Sequence, residues 1–192
     1  MGAQKMKLAI TSTVKEENGA WVAEDTLDTP MGKGTMTATI EKGTLVVRDR
    51  RIQQGPVTMT VAYVRGKASG EMNMSGKKKP IDVDLGGAIF ADAAGGPASI
   101  ACLPLAEGYS TTFRNFDDQK MKMKLMQLKV AGTETVTVPA GTFETFKVEI
   151  SSADGGNDKE TLWIAKDTHA PVKIAQVMAA MGGATMTAEL VP

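Results

Sequence analysis

The sequence predicts an all-β, mainly antiparallel fold: a meander of roughly a dozen strands forming a curved sheet or half-open barrel, with one short helical insert near residues 88–104. Three observations carry this. Apolar and polar residues alternate with period two from one end of the chain to the other, turn dipeptides separate the alternating segments at short spacing, and one Gly- and Ala-rich stretch breaks both patterns.

Met6 to Glu16 opens the chain as a strand. Met36, Ala38 and Ile40 then alternate with Thr35, Thr37 and Thr39. Val57, Met59, Val61 and Tyr63 oppose Thr58 and Thr60, and Ile81, Val83 and Leu85 oppose Asp82 and Asp84. In the second half, Phe146, Val148 and Ile150 alternate with Lys147 and Glu149, and Ala184, Met186, Ala188 and Leu190 with Thr185, Thr187 and Glu189. One wet and one dry face per strand is the mark of antiparallel sheets, because parallel strands covered on both faces read as continuous apolar runs. Asn18-Gly19, Lys42-Gly43, Gly55-Pro56, Arg65-Gly66, Ser75-Gly76, Ala131-Gly132, Ala140-Gly141 and Asp154-Gly155-Gly156-Asn157 supply the hairpin turns. Between Lys120 and Val130 the apolar parity switches, from Met121, Met123 and Leu125 to Met126, Leu128 and Val130, which predicts a β-bulge near Leu125.

From Gly86 to Leu105 the apolar residues are too irregular for a strand, and Pro97 is placed to begin a short helix running to about Leu103. At 192 residues the chain fits a single β domain spanning 1–192, with an N-terminal sheet portion (5–85), the insert (86–105) and a C-terminal sheet portion (106–192) sharing one core.

Composition narrows the function classes. With 42% hydrophobic and 23% charged residues the chain is globular. Twenty-two basic residues balance twenty-two acidic ones, which argues against nucleic acid as a partner. Lys77-Lys78-Lys79, between Gly76 and Pro80, reads as a solvated hairpin tip. The single cysteine, Cys102, rules out an internal disulfide and is expected to be a buried thiol. Met1 to Lys7 holds no apolar stretch long enough for a signal peptide or a transmembrane helix, so the chain is not expected to be an integral membrane protein. The expected location is the periplasm or cell envelope if a signal peptide has been removed, and otherwise the cytoplasm.

Catalytic groupings are sparse. The one histidine, His169, sits in a turn-like run, Lys166 to Pro171, with no nucleophile elbow to serve. Gly70 to Lys78 has five residues between its glycines and no Ser or Thr after the lysine, so it fails as a phosphate loop. Asp117-Asp118 and Asp154 to Asp158 are carboxylate-bearing turns without the spacing of a calcium site. No cofactor and no metal site are expected. Methionine is the one excess, at 13 residues, and it suggests an adaptable apolar lining made by Met59, Met72, Met74, Met121, Met123 and Met186. The pairs Met72-x-Met74 and Met121-x-Met123 would also suit Cu(I), although strand parity explains their spacing without a metal.

Thr135-Val136-Thr137-Val138-Pro139-Ala140-Gly141-Thr142-Phe143, continuing to Phe146-Lys147-Val148, forms a hairpin signature. Leu162-Trp163-Ile164 and Pro171-Val172-Lys173 follow it, and Leu103-Pro104-Leu105 to Tyr109 precedes it. Over about the last ninety residues this pattern resembles a group of uncharacterised bacterial cell-envelope domains, whose sheets are similar to the half-open barrel of Lol-type periplasmic lipoprotein carriers. The resemblance implies a fold, with Phe143, Phe146 and Trp163 in the core. In the carriers the concavity holds acyl chains. The leading reading is therefore a non-enzymatic envelope protein that binds an apolar or lipid-like ligand, or a lipidated partner, in the concavity of a curved β-sheet. The alternatives are a structural or protein-interaction module without a small-molecule ligand, and a hydrolase using carboxylates gathered from strands.

Overall fold

Alternating residues give most strands one dry face, and the strands pair into two open sheets that each collect those faces on one side. A computed structural model describes residues 5–7, 9–29, 32–156, 159–178 and 183–192. Met1 to Gln4 of the N-terminal run, and Asn157 and Asp158 of the acidic turn, lie outside these. Among the described residues there are fourteen strands and one helix: β1 (Lys5–Lys7), β2 (Ile10–Glu17), β3 (Ala20–Thr29), β4 (Gly32–Glu41), β5 (Val47–Gln54), β6 (Val57–Val64), β7 (Lys67–Met74), β8 (Lys77–Asp84), α1 (Gly96–Ala101), β9 (Ser110–Asp117), β10 (Lys122–Val138), β11 (Gly141–Ser152), β12 (Lys159–Ala165), β13 (Pro171–Met178) and β14 (Ala184–Glu189). Strands β2 to β8 follow one another in a seven-stranded antiparallel meander, the N-terminal sheet. Strands β9 to β14 form a second meander, the C-terminal sheet, to which β1 adds in parallel beside β14. The expected single strand from Met6 to Glu16 is thus two strands in two sheets. By contacts the chain divides into two compact units, Ala9–Ser99 with Arg114–Lys124, and Met1–Leu8 with Ile100–Phe113 and Leu125–Pro192.

In the first unit the hairpins close as their sequences predict. Asn18-Gly19, Arg65-Gly66 and Ser75-Gly76 each place both loop residues in the left-handed region, the geometry whose twist matches paired strands. Lys77 to Lys79 lie just past that last turn, on edge strand β8 and not at the hairpin tip, and there they charge an exposed edge. The dry face gathers Ala23, Ala38, Ile40, Val47, Met59, Val61, Ala68 and Ile81 into one buried cluster. Ile89 and Ala94 cover it from the segment after β8, and Phe116 covers it from β9. Val47 N–H donates to the Ile89 carbonyl at 2.9 Å. Gly95 (φ +73) approaches so closely that a Cβ there would stand 2.6 Å from the Ala23 Cβ. This close approach holds the segment before the helix on the sheet, and the short helix follows it, starting at Gly96 beside the expected Pro97. Residues 86–95 lie against the sheet, Ala91 and Ala93 are left-handed, and α1 occupies only Gly96–Ala101.

In the second unit Leu128, Val130, Val148, Ile150, Leu162, Ile164 and Val172 are buried. Register places Val130 opposite Val148, which is opposite Leu162, and Leu128 opposite Ile150. The bulge in β10 falls between Val130 and Gly132, not near Leu125. No bulge is needed earlier, since Met126, Leu128 and Val130 keep one parity while Met123 and Leu125 turn outward, 36% and 38% exposed. Trp163 is also not a core residue. Leu162 and Ile164 take the dry face, so Trp163 must take the other, where it lies half-buried between Lys147 and Lys173 with its indole N–H donating to Glu134. Phe143 and Phe146 are half-buried. Cys102 is exposed and not buried, because Ile100 and Ala101 take the covered positions at the end of α1.

Gly70 marks the tightest backbone approach, since a Cβ there would stand 1.9 Å from the Thr60 carbonyl oxygen. Gly70→Ala is expected to destabilise the protein by about 2–3 kcal/mol through forced strand displacement, read as a lowered urea midpoint. An unchanged midpoint would contradict this β6–β7 register.

Candidate functional site

A charged group is expensive to desolvate unless it is compensated, so buried charge marks either a device that holds the fold together or a site. Arg50 on β5 shares the dry face with its cross-strand neighbours Ala38 and Val61 and is 5% exposed. Its Nη1 donates to Asp92 Oδ1 at 2.9 Å and its Nη2 to Asp118 Oδ2 at 3.1 Å. The Tyr63 hydroxyl donates to Asp92 Oδ2 at 2.5 Å, and the guanidinium lies 5.4 Å from the Phe116 ring centre. Burial pushes the Asp92 carboxyl up against the opposing pull of Arg50, and burial, followed by the charge of Asp92, pushes the Tyr63 phenol up.

Both oxygens of Asp92 are committed inside this cluster. It therefore acts as a clamp that fastens residues 86–95 and the turn after β9 to the sheet, holding Ala91 (φ 51) and Ala93 (φ 71) in strained left-handed conformations on either side of Asp92. Removing Arg50 would leave two carboxylates facing an apolar cluster, a loss of about 3–5 kcal/mol. Sequence reasoning missed the clamp, although one signal was present: Asp92 is the only charged residue between Asp84 and Glu107. Asp25 is handled in the same way. Burial pushes its carboxyl up, while the Ser12 side chain and the Gly95 N–H bond to it.

The six methionines expected to line an apolar surface fall into different settings. Met36 pairs with Ile52, Ile52 with Met59, and Met59 with Met72, so these four residues make one row across β4, β5, β6 and β7. Met59 is 2% exposed within the buried cluster, and Met36, Ile52 and Met72 pack half-buried against it. Met121 packs on the same cluster from a turn, with φ 51, so it does not share a strand face with Met123 as their spacing suggested. Met74 shares the strand face of Met72 but ends it 49% exposed, and Met123 is 36% exposed. Met186 is half-buried on β14, in the other unit. The structure thus brings Met59, Met72 and Met121 together and adds Met36 and Ile52.

Among the described residues, one half-buried charged side chain on a dry face has no compensation. Glu160 on β12 has the parity of Leu162 and Ile164, stands directly opposite Ile150 and Gln176, and is half-buried. Gln176 in turn pairs with Met186. No hydrogen bond or ion pair joins Glu160 to another described residue, and burial pushes its carboxyl up to about 7. Elsewhere, His169 occupies its expected turn (φ 53), with Nδ1 2.9 Å from the Ala101 carbonyl oxygen. Among the described residues no group of three or more His, Cys, Asp or Glu side chains is placed to hold a metal ion, and no helix is long and apolar enough to cross a membrane.

A family model described as "Protein of unknown function (DUF3108)" matches residues 2–189. The chain belongs to the DUF3108 family. No curated protein and no solved structure matches it. The match takes in both sheets, so the clamp, the methionine row and Glu160 of this DUF3108 protein all lie within the family domain.

Glu160 gives the DUF3108 protein a pH signature. The carboxyl titrates near 7 when folded against an ordinary 4.5, so between those values the native state binds more protons than the unfolded one and stability falls as pH rises. Glu160→Gln removes this penalty. The variant is expected to match wild type near pH 4.5 and to exceed it by up to about 3 kcal/mol above pH 8, measured by urea unfolding. Wild-type and variant stabilities that stay parallel across that range would contradict a desolvated Glu160.

Proposed function

We propose that this DUF3108 member is a non-enzymatic protein of the bacterial cell envelope that binds an apolar or lipid-like ligand, or the acyl chain of a lipidated partner, in the concavity of a curved β-sheet. The observation that carries the reading is the row Met36–Ile52–Met59–Met72, which runs from a closed core position to half-open ones on either side. Methionine is unbranched and polarizable, so such a surface can repack around chains of varying shape at little cost. The likeness of the hairpin around Pro139 and Gly141 to envelope domains with a half-open, Lol-like barrel supports the same reading. The buried carboxylates of the N-terminal sheet and its covering segment, Asp25 and Asp92, already have hydrogen-bond partners within the protein, which favours binding over hydrolysis.

The alternative of an interaction module has its own observation in β2, an edge strand whose residues after Ile10 are all exposed. Lys15, Glu16 and Glu17 guard that edge against unselective pairing.

Native and denaturing mass spectra of protein purified from a bacterial host, with organic extraction of the same sample, test the proposal. A lipid-sized mass released on denaturation is the expected result. A bare polypeptide that also fails to take up a fluorescent fatty-acyl probe would overturn it.

A further inference from the structure

We propose that Glu160 anchors a second binding site, on the C-terminal sheet, for an amphiphile whose head carries a primary ammonium group. The site is distinct from the methionine row and lies in the other compact unit. Its floor is the pairing Ile150–Glu160–Gln176–Met186 across four neighbouring strands, with buried Leu162 next to Glu160 on the same face.

The contrast with Arg50 and Asp25, the buried charged residues on strands of the N-terminal sheet, decides the reading. Arg50 and Asp25 have hydrogen-bonding partners supplied by the chain, whereas Glu160 has none among the described residues. No Lys, Arg or His of β11, β12, β13 or β14 shares its face among the described residues. The uncharged polar groups nearest in register are the Gln176 amide and the Ser152 hydroxyl. An ionised carboxylate in such a place calls for a counter-charge brought from outside, and it attracts a cation more than a neutral head. An ammonium carries three donors, and the side-chain carbonyl of Gln176, directly opposite Glu160, can accept one of those that the carboxylate leaves free. Half-buried Met186 supplies apolar surface for the tail, with buried Ile150 and Leu162 closing the floor beneath the head group. The upward shift of the Glu160 carboxyl fits a group held for a ligand and not for the fold, since it costs stability at neutral pH.

The test titrates decylammonium, decanol and decanoate into the wild-type protein and into Glu160→Gln by calorimetry, near pH 8.5, where both the carboxylate and the ammonium are charged. Wild type is expected to bind decylammonium about tenfold more tightly than decanol and to disfavour decanoate. Glu160→Gln should lose the ammonium preference while its affinity for decanol stays unchanged. Decylammonium binding that survives Glu160→Gln intact overturns the proposal. So does equal binding of all three probes to wild type, which would leave the methionine row standing as the apolar surface. Absence of binding by any probe overturns this site and counts against the apolar-ligand reading as well.

Discussion

A β-sheet keeps its apolar face dry only if something lies against it, and the described residues hold a single six-residue helix to set against fourteen strands. In the N-terminal sheet the cover is improvised from backbone with little side-chain bulk. Residues 86–95 lie across Ala23, Ile40 and Val47 with Ile89 and Ala94 facing inward, and Gly95 fits where no side chain would. Such a strand-like cover contributes few large apolar groups, so it needs a polar fastening, which Arg50, Asp92, Asp118 and Tyr63 provide. The clamp sits at one place on the face. Beyond it the row Met36–Ile52–Met59–Met72 is only half-covered, and the proposed apolar surface is the remainder that the cover does not close.

Charges at core-facing positions separate structure from function here. Arg50 and Asp25 break the alternation, yet their hydrogen-bond partners come from the chain itself, as stability requires of buried polar groups. Glu160 breaks the same rule without such a partner among the described residues, and it makes the fold less stable as pH rises. A destabilising group held in an otherwise regular sheet is where local sequence logic and global stability part, and such places are expected to be functional.

What was legible in the sequence follows from the range of the interactions. Period-two alternation and turns such as Asn18-Gly19 and Ser75-Gly76 are local, and they yielded the antiparallel meanders. Trp163 was misplaced because residue type was weighed above parity: Leu162 and Ile164 on either side of it already assign it to the wet face. The same parity assigns Glu160 to the dry face. The clamp was not legible, since Arg50 and Asp92 are 42 positions apart and meet only because residues 86–95 fold back over β5. Met121 shows the limit of spacing arguments, for one left-handed turn residue removed it from the strand face it was expected to share with Met123. The DUF3108 match spans residues 2–189 and leaves the ligand to be read from the chemistry of these faces.

Because methionine carries the central claim, its methyl groups are the most direct reporters. In protein labelled with carbon-13 at the methionine methyls, titration with a soluble acyl chain should shift the signals of Met36, Met59 and Met72 saturably, leaving the exposed Met123 nearly unmoved. A titration in which only Met123 responds, or in which no methyl signal saturates, would contradict an apolar binding surface on the N-terminal sheet.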